Sequence, residues 1–588
     1  MKLTEPSRAP RTGWRAGLMG APITLLLVVM LVYPVGQLLM LSLFNDSGLS
    51  LEHYTRLFAS PVYLNVLWIT LKISLWTTLF AVLAGYPVAY LISSLAKQRK
   101  TSILFWVLLS FWTSFLVRTF AWVVLLGRNG VVNQLLQALG ILDAPATLLY
   151  NYGSVVVGMV HAMMPLAILT MLSVMENIDR TLPRAAATLG ARPGTAFWKI
   201  YFPLSFPGVA AGAIMVFVTA IGFFITPALL GGRRETMITQ LIIDQVLQTL
   251  NWGFAGAISV LLLVVVLVVF AVYDKVLGLS TMTGASSIRT ASSGKSVFSH
   301  LGDALLGMLA AVSDRLVALM PRKMRRPDAS GEGRLLRWTA FLILAFLSVP
   351  AFLMIPMSFD SASGLNWPPS GFSLQWYEQM FNSPVWMQAI GRSLIVGIGT
   401  GVLAMLIGTP AAFLMVRSQM RGKPALLAFI LSPIVVPRMI IAVGMFYFFA
   451  KIGLVGSLWG LILAHTVVAV PYVVITMMAV LRNYDTRLDL AAQSLGAGPW
   501  STLRFVTFPI LSAGMLSSFL FAFATSFDEL TIALFSSGGL NATLPKQFWD
   551  EVTLQISPVI AAVSTCLFIF IAVLIWVADR LRRRSLAR

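Results

Sequence analysis

Apolar runs of about 20 residues or more recur along the whole chain, each long enough to cross roughly 30 Å of hydrocarbon as a helix. Of the 588 residues, 58% are apolar and only 11% charged, with a mean hydropathy of +0.85. A water-soluble chain of this length could not hide so much apolar surface. Inside lipid the backbone must satisfy its own hydrogen bonds, which leaves helices or closed barrels. Barrel strands would alternate in polarity, and these runs are continuous. The fold class expected is an all-α polytopic membrane protein.

Twelve spans are expected, at 17–44, 64–95, 102–127, 152–175, 207–232 and 253–277, then 335–358, 389–416, 424–450, 455–480, 509–535 and 556–579. The first, preceded by Arg8, Arg11 and Arg15, has too long an apolar core for a cleaved signal and reads as a retained helix. With the N-terminus inside, 32 of the 42 Lys and Arg fall on the inner side, counting Lys275 and Arg337 at the span ends. That is the asymmetry of cytoplasmic loops, so both termini are expected in the cytoplasm. The net charge of +20 therefore reads as orientation and as affinity for anionic membrane lipid, with no nucleic-acid partner. A single cysteine, Cys566, excludes a disulfide within the chain, and it leaves no expected metal site beside four scattered histidines.

The chain also repeats itself. Pro165–Pro203 aligns without a gap on Pro471–Pro509 at an offset of 306, with 15 of 39 positions identical. Upstream, Tyr54, Phe58, Ser60 and Pro61 match Tyr377, Phe381, Ser383 and Pro384 at an offset of 323, as Gly85 and Pro87 match Gly408 and Pro410. The change from 323 to 306 places 17 additional residues in the first half, between Asn133 and Pro165. Two pseudo-symmetric six-helix halves are expected, 1–280 and 334–588, joined by a cytoplasmic linker at 281–333. Within the linker, Phe298, Leu301, Leu305, Leu309, Val312 and Leu316 recur at helical spacing. This is read as an amphipathic helix, on the membrane or on the protein, because a thirteenth span would put the matching loops of the two halves on opposite sides.

Those matching loops are the most informative segments. The first carries Ala185, Ala186 and Gly190 and then Ile200 and Pro203; the second carries Ala491, Ala492 and Gly496 and then Pro509. Paired alanines give a thin helix on which another protein can pack, and glycine permits a sharp turn. Proline suits the start of the next helix, where the chain re-enters the membrane. Together they describe a helical elbow on the cytoplasmic face. These elbows resemble the EAA loop of type I ABC importer permeases, whose pattern is E-A-A-x-x-x-G followed after nine residues by I-x-L-P. Arg184 and Leu490 stand where the family has Glu.

The resemblance implies that the elbows couple two copies of a cytoplasmic ABC ATPase to the spanning helices, and that ATP and Mg2+ act on that partner. It further implies a periplasmic solute-binding protein, a small-molecule solute and a place in the bacterial inner membrane. Segments 109–119 and 226–232 are similar to the first permease subunit of spermidine/putrescine importers, and 526–529 and 556–558 to the second. A polyamine-like solute is thus implied, with ferric iron, thiamine, phosphonates and opine-like solutes as alternatives. Many first subunits have an Asp where this chain has Phe223.

No catalytic residues are expected. Gly294-Lys295-Ser296 ends like a phosphate-binding loop, but Arg289 replaces its first glycine and no strand precedes it. Candidates for the solute path are Asp528 and Glu529, expected within the eleventh span, with Phe111, Trp112, Phe223 and Phe224 as a possible aromatic gate. A carboxylate in lipid usually faces water or a partner, and Arg118 or Arg438 could equally hold these two as structure. The competing class is an ion-coupled secondary transporter, which also builds pathways from repeats but needs no docking elbows.

Overall fold

The computed structural model describes residues 13–45, 48–277, 297–319, 334–420, 422–554 and 557–586. Eleven of its helices are long and apolar enough to span a membrane, and the pair Lys423–Val435 and Arg438–Ile452, bent by 91°, makes a twelfth crossing when taken as one. Among the described residues the only paired strands are the hairpin Phe44–Asn45 and Gly48–Leu49. The linker helix runs from Val297 to Leu319, while the linker positions 281–296 and 320–333 lie outside the described residues.

The repeat seen in sequence is a repeat of elements. Pro61–Ser94 and Pro384–Arg417 are both 34 residues long. Pro193–Ile221 and Pro499–Phe527 are both 29. The first helix of each half packs on the other half. Gly17–Leu41 lies against Pro384–Arg417 and Arg438–Ile452, and Pro34 comes so close to Gly444 that a Cβ there would meet the Pro34 carbonyl at 3.0 Å. Reciprocally, Arg334–Met357 lies against Pro61–Ser94 and Phe115–Leu126, and the His161 ring bonds the Leu347 carbonyl at 3.2 Å.

Four expected spans are broken. The third divides into Lys97–Trp112 and Phe115–Leu126, with Thr113 and Ser114 extended and the Ser114 hydroxyl accepting from the Leu116 N–H. The ninth divides at Val436, which precedes Pro437 and is extended, as steric conflict with the proline ring requires. The fifth ends at Ile221 and resumes as the short helix Ile225–Leu230; the eleventh ends at Phe527 and resumes as Thr531–Ser536. These segments are mostly apolar on both sides of each break, so apolarity alone reads them as continuous.

Candidate functional site

Each elbow is one short helix, one left-handed glycine and a re-entering helix. The first uses Thr181–Thr188, Gly190 at φ +88° and a helix from Pro193; the second uses Arg487–Ser494, Gly496 at φ +87° and a helix from Pro499. Glycine adopts that backbone with no Cβ penalty, which is why the turn falls there. Pro203 and Pro509 do not begin the re-entering helices, as the sequence suggested, but follow a single wide turn inside them. The Phe202 N–H reaches back five residues to the Phe197 carbonyl, and the Phe508 N–H to that of Leu503. A proline has no N–H for the carbonyl four residues back, and its ring would strike that carbonyl, so the turn widens ahead of it. Ile200 lies half-buried within the first wide turn.

Ala185 and Ala491 are exposed and Ala186 and Ala492 half-buried. The residues that sequence reasoning passed over are Leu189 and Leu495, directly before the glycines and each 88% exposed. The signal was available, since both copies of the repeat carry leucine there. Six crossings separate the elbows when the bent pair counts as one, so both emerge on the same face.

The second elbow is held by a buried carboxylate. Asp489 accepts the Tyr484 hydroxyl at 2.6 Å and the Thr507 hydroxyl at 2.8 Å, and Arg417 lies 2.9 Å away. Burial works to raise its pKa, but the two hydroxyls and the guanidinium outweigh it and hold the carboxyl below its ordinary value.

The other candidates lie where the four breaks meet. A Cβ on Gly222 would lie 3.4 Å from Pro437, so the break after the fifth span touches the break in the ninth. Their counterparts in the repeat, Asp528 and Ser114, line one cavity with Trp112, Phe527 and Phe548. Asp528 and Glu529 thus sit at a helix end and not within a span. Glu529 is 1% exposed, and its Oε2 accepts the Ile532 N–H at 2.8 Å, capping the short helix, with His465 3.8 Å away. Arg118, also buried, donates to the Ala162 carbonyl at 2.9 Å and lies over the Phe115 ring.

Two of the aromatic candidates, Trp112 and Phe224, join the two halves. Trp112 packs on Phe521 at 4.7 Å and on its neighbour Phe111 at 6.0 Å. Phe224 meets Trp549 at 5.3 Å, whereas Phe223 stays within its own half against Phe115. Asp550, on the helix of Trp549, is paired with Lys546.

Comparison with known proteins gives the chain a family. A chain of a bacterial alginate ABC transporter, solved with its alginate-loaded periplasmic protein, aligns at 19% identity over 47% of this chain and 96% of its own, with a TM-score of 0.40. The spermidine/putrescine transport system permease protein PotB of Haemophilus influenzae is 36% identical over 38% of this chain and 78% of its own length. PotC of the same organism is 28% identical over 42% of this chain and 95% of its own. The family model described as the binding-protein-dependent transport system inner membrane component matches twice, at residues 18–276 and 404–586. The chain belongs to that family, as a multi-pass permease with two copies of the family's domain in one polypeptide.

Proposed function

We propose that the two elbows are the handles by which two copies of a cytoplasmic ABC ATPase drive this permease, and that a polyamine-like solute crosses where the four breaks meet. The observation that carries this reading is the pair of leucines at 88% exposure, each beside a left-handed glycine on the same face. Exposed apolar tips at equivalent places suit a partner that supplies two equivalent grooves. ATP and Mg2+ would reside on that partner. A periplasmic binding protein would deliver solute to the opposite face, with both termini and the linker on the ATPase side. ATP binding would draw the ATPases together and carry the elbows with them, and the halves would alternate between outward and inward states that hold the solute with different affinity. The similarity to PotB and PotC supports a polyamine, and Asp528 at the shared cavity supports a cation.

Deleting Gly190–Pro193 and Gly496–Pro499 tests the coupling. The expected result is loss of ATPase co-purification and of uptake dependent on the binding protein. Uptake that persists without any ATPase would overturn it in favour of an ion-coupled transporter. Calorimetry of the cognate binding protein with spermidine, putrescine, ferric iron, thiamine, a phosphonate and an opine tests the solute.

A further inference from the structure

The two elbows match in backbone but not in what restrains them. Asp489, which clasps the second elbow from within its own short helix, corresponds in the repeat to Pro183. Its hydroxyl donors Tyr484 and Thr507 correspond to Ile178 and Tyr201, so the first elbow cannot build the same clasp. A different carboxylate stands there, and it comes from the linker. Asp314, on the helix Val297–Leu319 and only 9% exposed, accepts the Gly194 N–H at 2.7 Å through Oδ1 and the Thr195 hydroxyl at 2.7 Å through Oδ2.

The fit is close. A Cβ on Gly194 would meet Asp314 Oδ1 at 2.7 Å, Ser313 Oγ at 2.9 Å and the Ala310 carbonyl at 3.0 Å. Only glycine lets the linker helix come this near, and the corresponding residue of the second elbow is Trp500, 68% exposed. An N–H in the first turn of a helix lacks an intrahelical acceptor, and a carboxylate is the strongest partner it can have. Beside this contact, Gly190, Ala191 and Arg192 of the elbow share a cleft of about 490 Å³ with Gly307, Ala311 and Arg315 of the linker helix.

We propose that the linker helix is a built-in restraint on the first elbow, with Asp314 as its positioning residue, so that the two elbows transmit ATPase movement through unequal attachments. This rests on the coupling role proposed for the elbows. The linker helix thus reaches the first elbow, while the second is held by its own Asp489.

Two measurements on the full chain test it. In the chain without ATPase, Asp314→Asn should speed hydrogen exchange in residues 190–196 by about tenfold or more, the scale of a lost charge-assisted bond, and leave residues 496–502 unchanged. Replacing 297–319 with a Gly/Ser segment of equal length should do the same. In the reconstituted complex, Asp314→Asn should lower solute moved per ATP hydrolysed several-fold while ATPase still co-purifies. Unchanged exchange in both variants overturns the restraint, and faster exchange with an unchanged transport ratio overturns the positioning role. A chain lacking Gly190–Pro193 that still binds ATPase and transports would instead sink the coupling role itself, whatever the exchange shows.

Discussion

Arg417 lies 2.9 Å from Asp489, so the end of the long helix Pro384–Arg417 grips the short helix of the second elbow. A push on that elbow is therefore applied to a helix that packs along both Leu458–Arg482 and Phe508–Phe527. Asp489→Asn should leave the chain folded but weaken this grip by about 1.5–3 kcal/mol, the range for hydrogen bonds to a charged group. A double-mutant cycle with Arg417→Ala checks that the loss is shared. Because the folded carboxyl is held below its ordinary value, its contribution is present above about pH 3.9 and is lost as pH falls through the lower folded value. Hydrogen exchange in 487–507 should accordingly be flat in pH-corrected rate from pH 8 to about pH 5 and rise only in stronger acid.

Leu189→Asp and Leu495→Asp should each weaken ATPase binding by roughly 10- to 100-fold, since burying a leucine is worth about 1.5–3 kcal/mol. Both side chains are 88% exposed, so the melting temperature of the permease alone should not move. A pull-down titration beside a thermal melt separates the two effects.

At Gly190 and Gly496 a Cβ would meet nothing within 4 Å, so only the backbone opposes a side chain there. Valine should cost about 1–2 kcal/mol in the left-handed region and impair ATPase binding, whereas asparagine, which tolerates that region, should retain most of it.

Along one helix, two glycines should respond in opposite directions. A Cβ on Gly401 would lie 2.6 Å from Phe519, and Gly401→Ala should destabilise by about 1–3 kcal/mol through forced repacking. Gly391 faces open space, and Gly391→Ala should stabilise by about 0.5–1 kcal/mol through helix propensity. Thermal unfolding in detergent reads both.

The neighbouring carboxyls at 528 and 529 should separate by phenotype. Glu529→Ala removes the acceptor of the Ile532 N–H and should reduce the amount of folded protein in the membrane. Asp528→Asn, at the cavity wall, should preserve expression and raise the KM for a cationic solute, which transport assays in vesicles would show.

Span number, the two halves and the elbows were legible because each has a local cause: apolar length, a constant offset, and a glycine between a short helix and a proline. The break at Gly222 was not, because its segment does not change in apolarity where the chain turns, and the break at Ser114 carries only the short polar pair Thr113 and Ser114, which a long apolar run absorbs. Pro437 announced its break through its effect on Val436. The roles of Asp528 and Glu529 depend on which way adjacent side chains leave a helix end, and a span drawn through 509–535 conceals that end. Leu189 and Leu495 were visible as letters, but their exposure belongs to the folded turn. The pairing of Asp314 with Gly194 joins residues 120 positions apart, and no local pattern predicts it.

Because Gly17–Leu41 completes the second half and Arg334–Met357 completes the first, neither half finishes its own packing alone. During synthesis the opening helix can meet Trp252–Leu277 early, but its surfaces on the second half are not made until the chain has passed Ile452. A single polypeptide keeps that helix at high effective concentration and fixes the halves in equal number. Two separately made subunits would instead have to find each other by diffusion with their seams open.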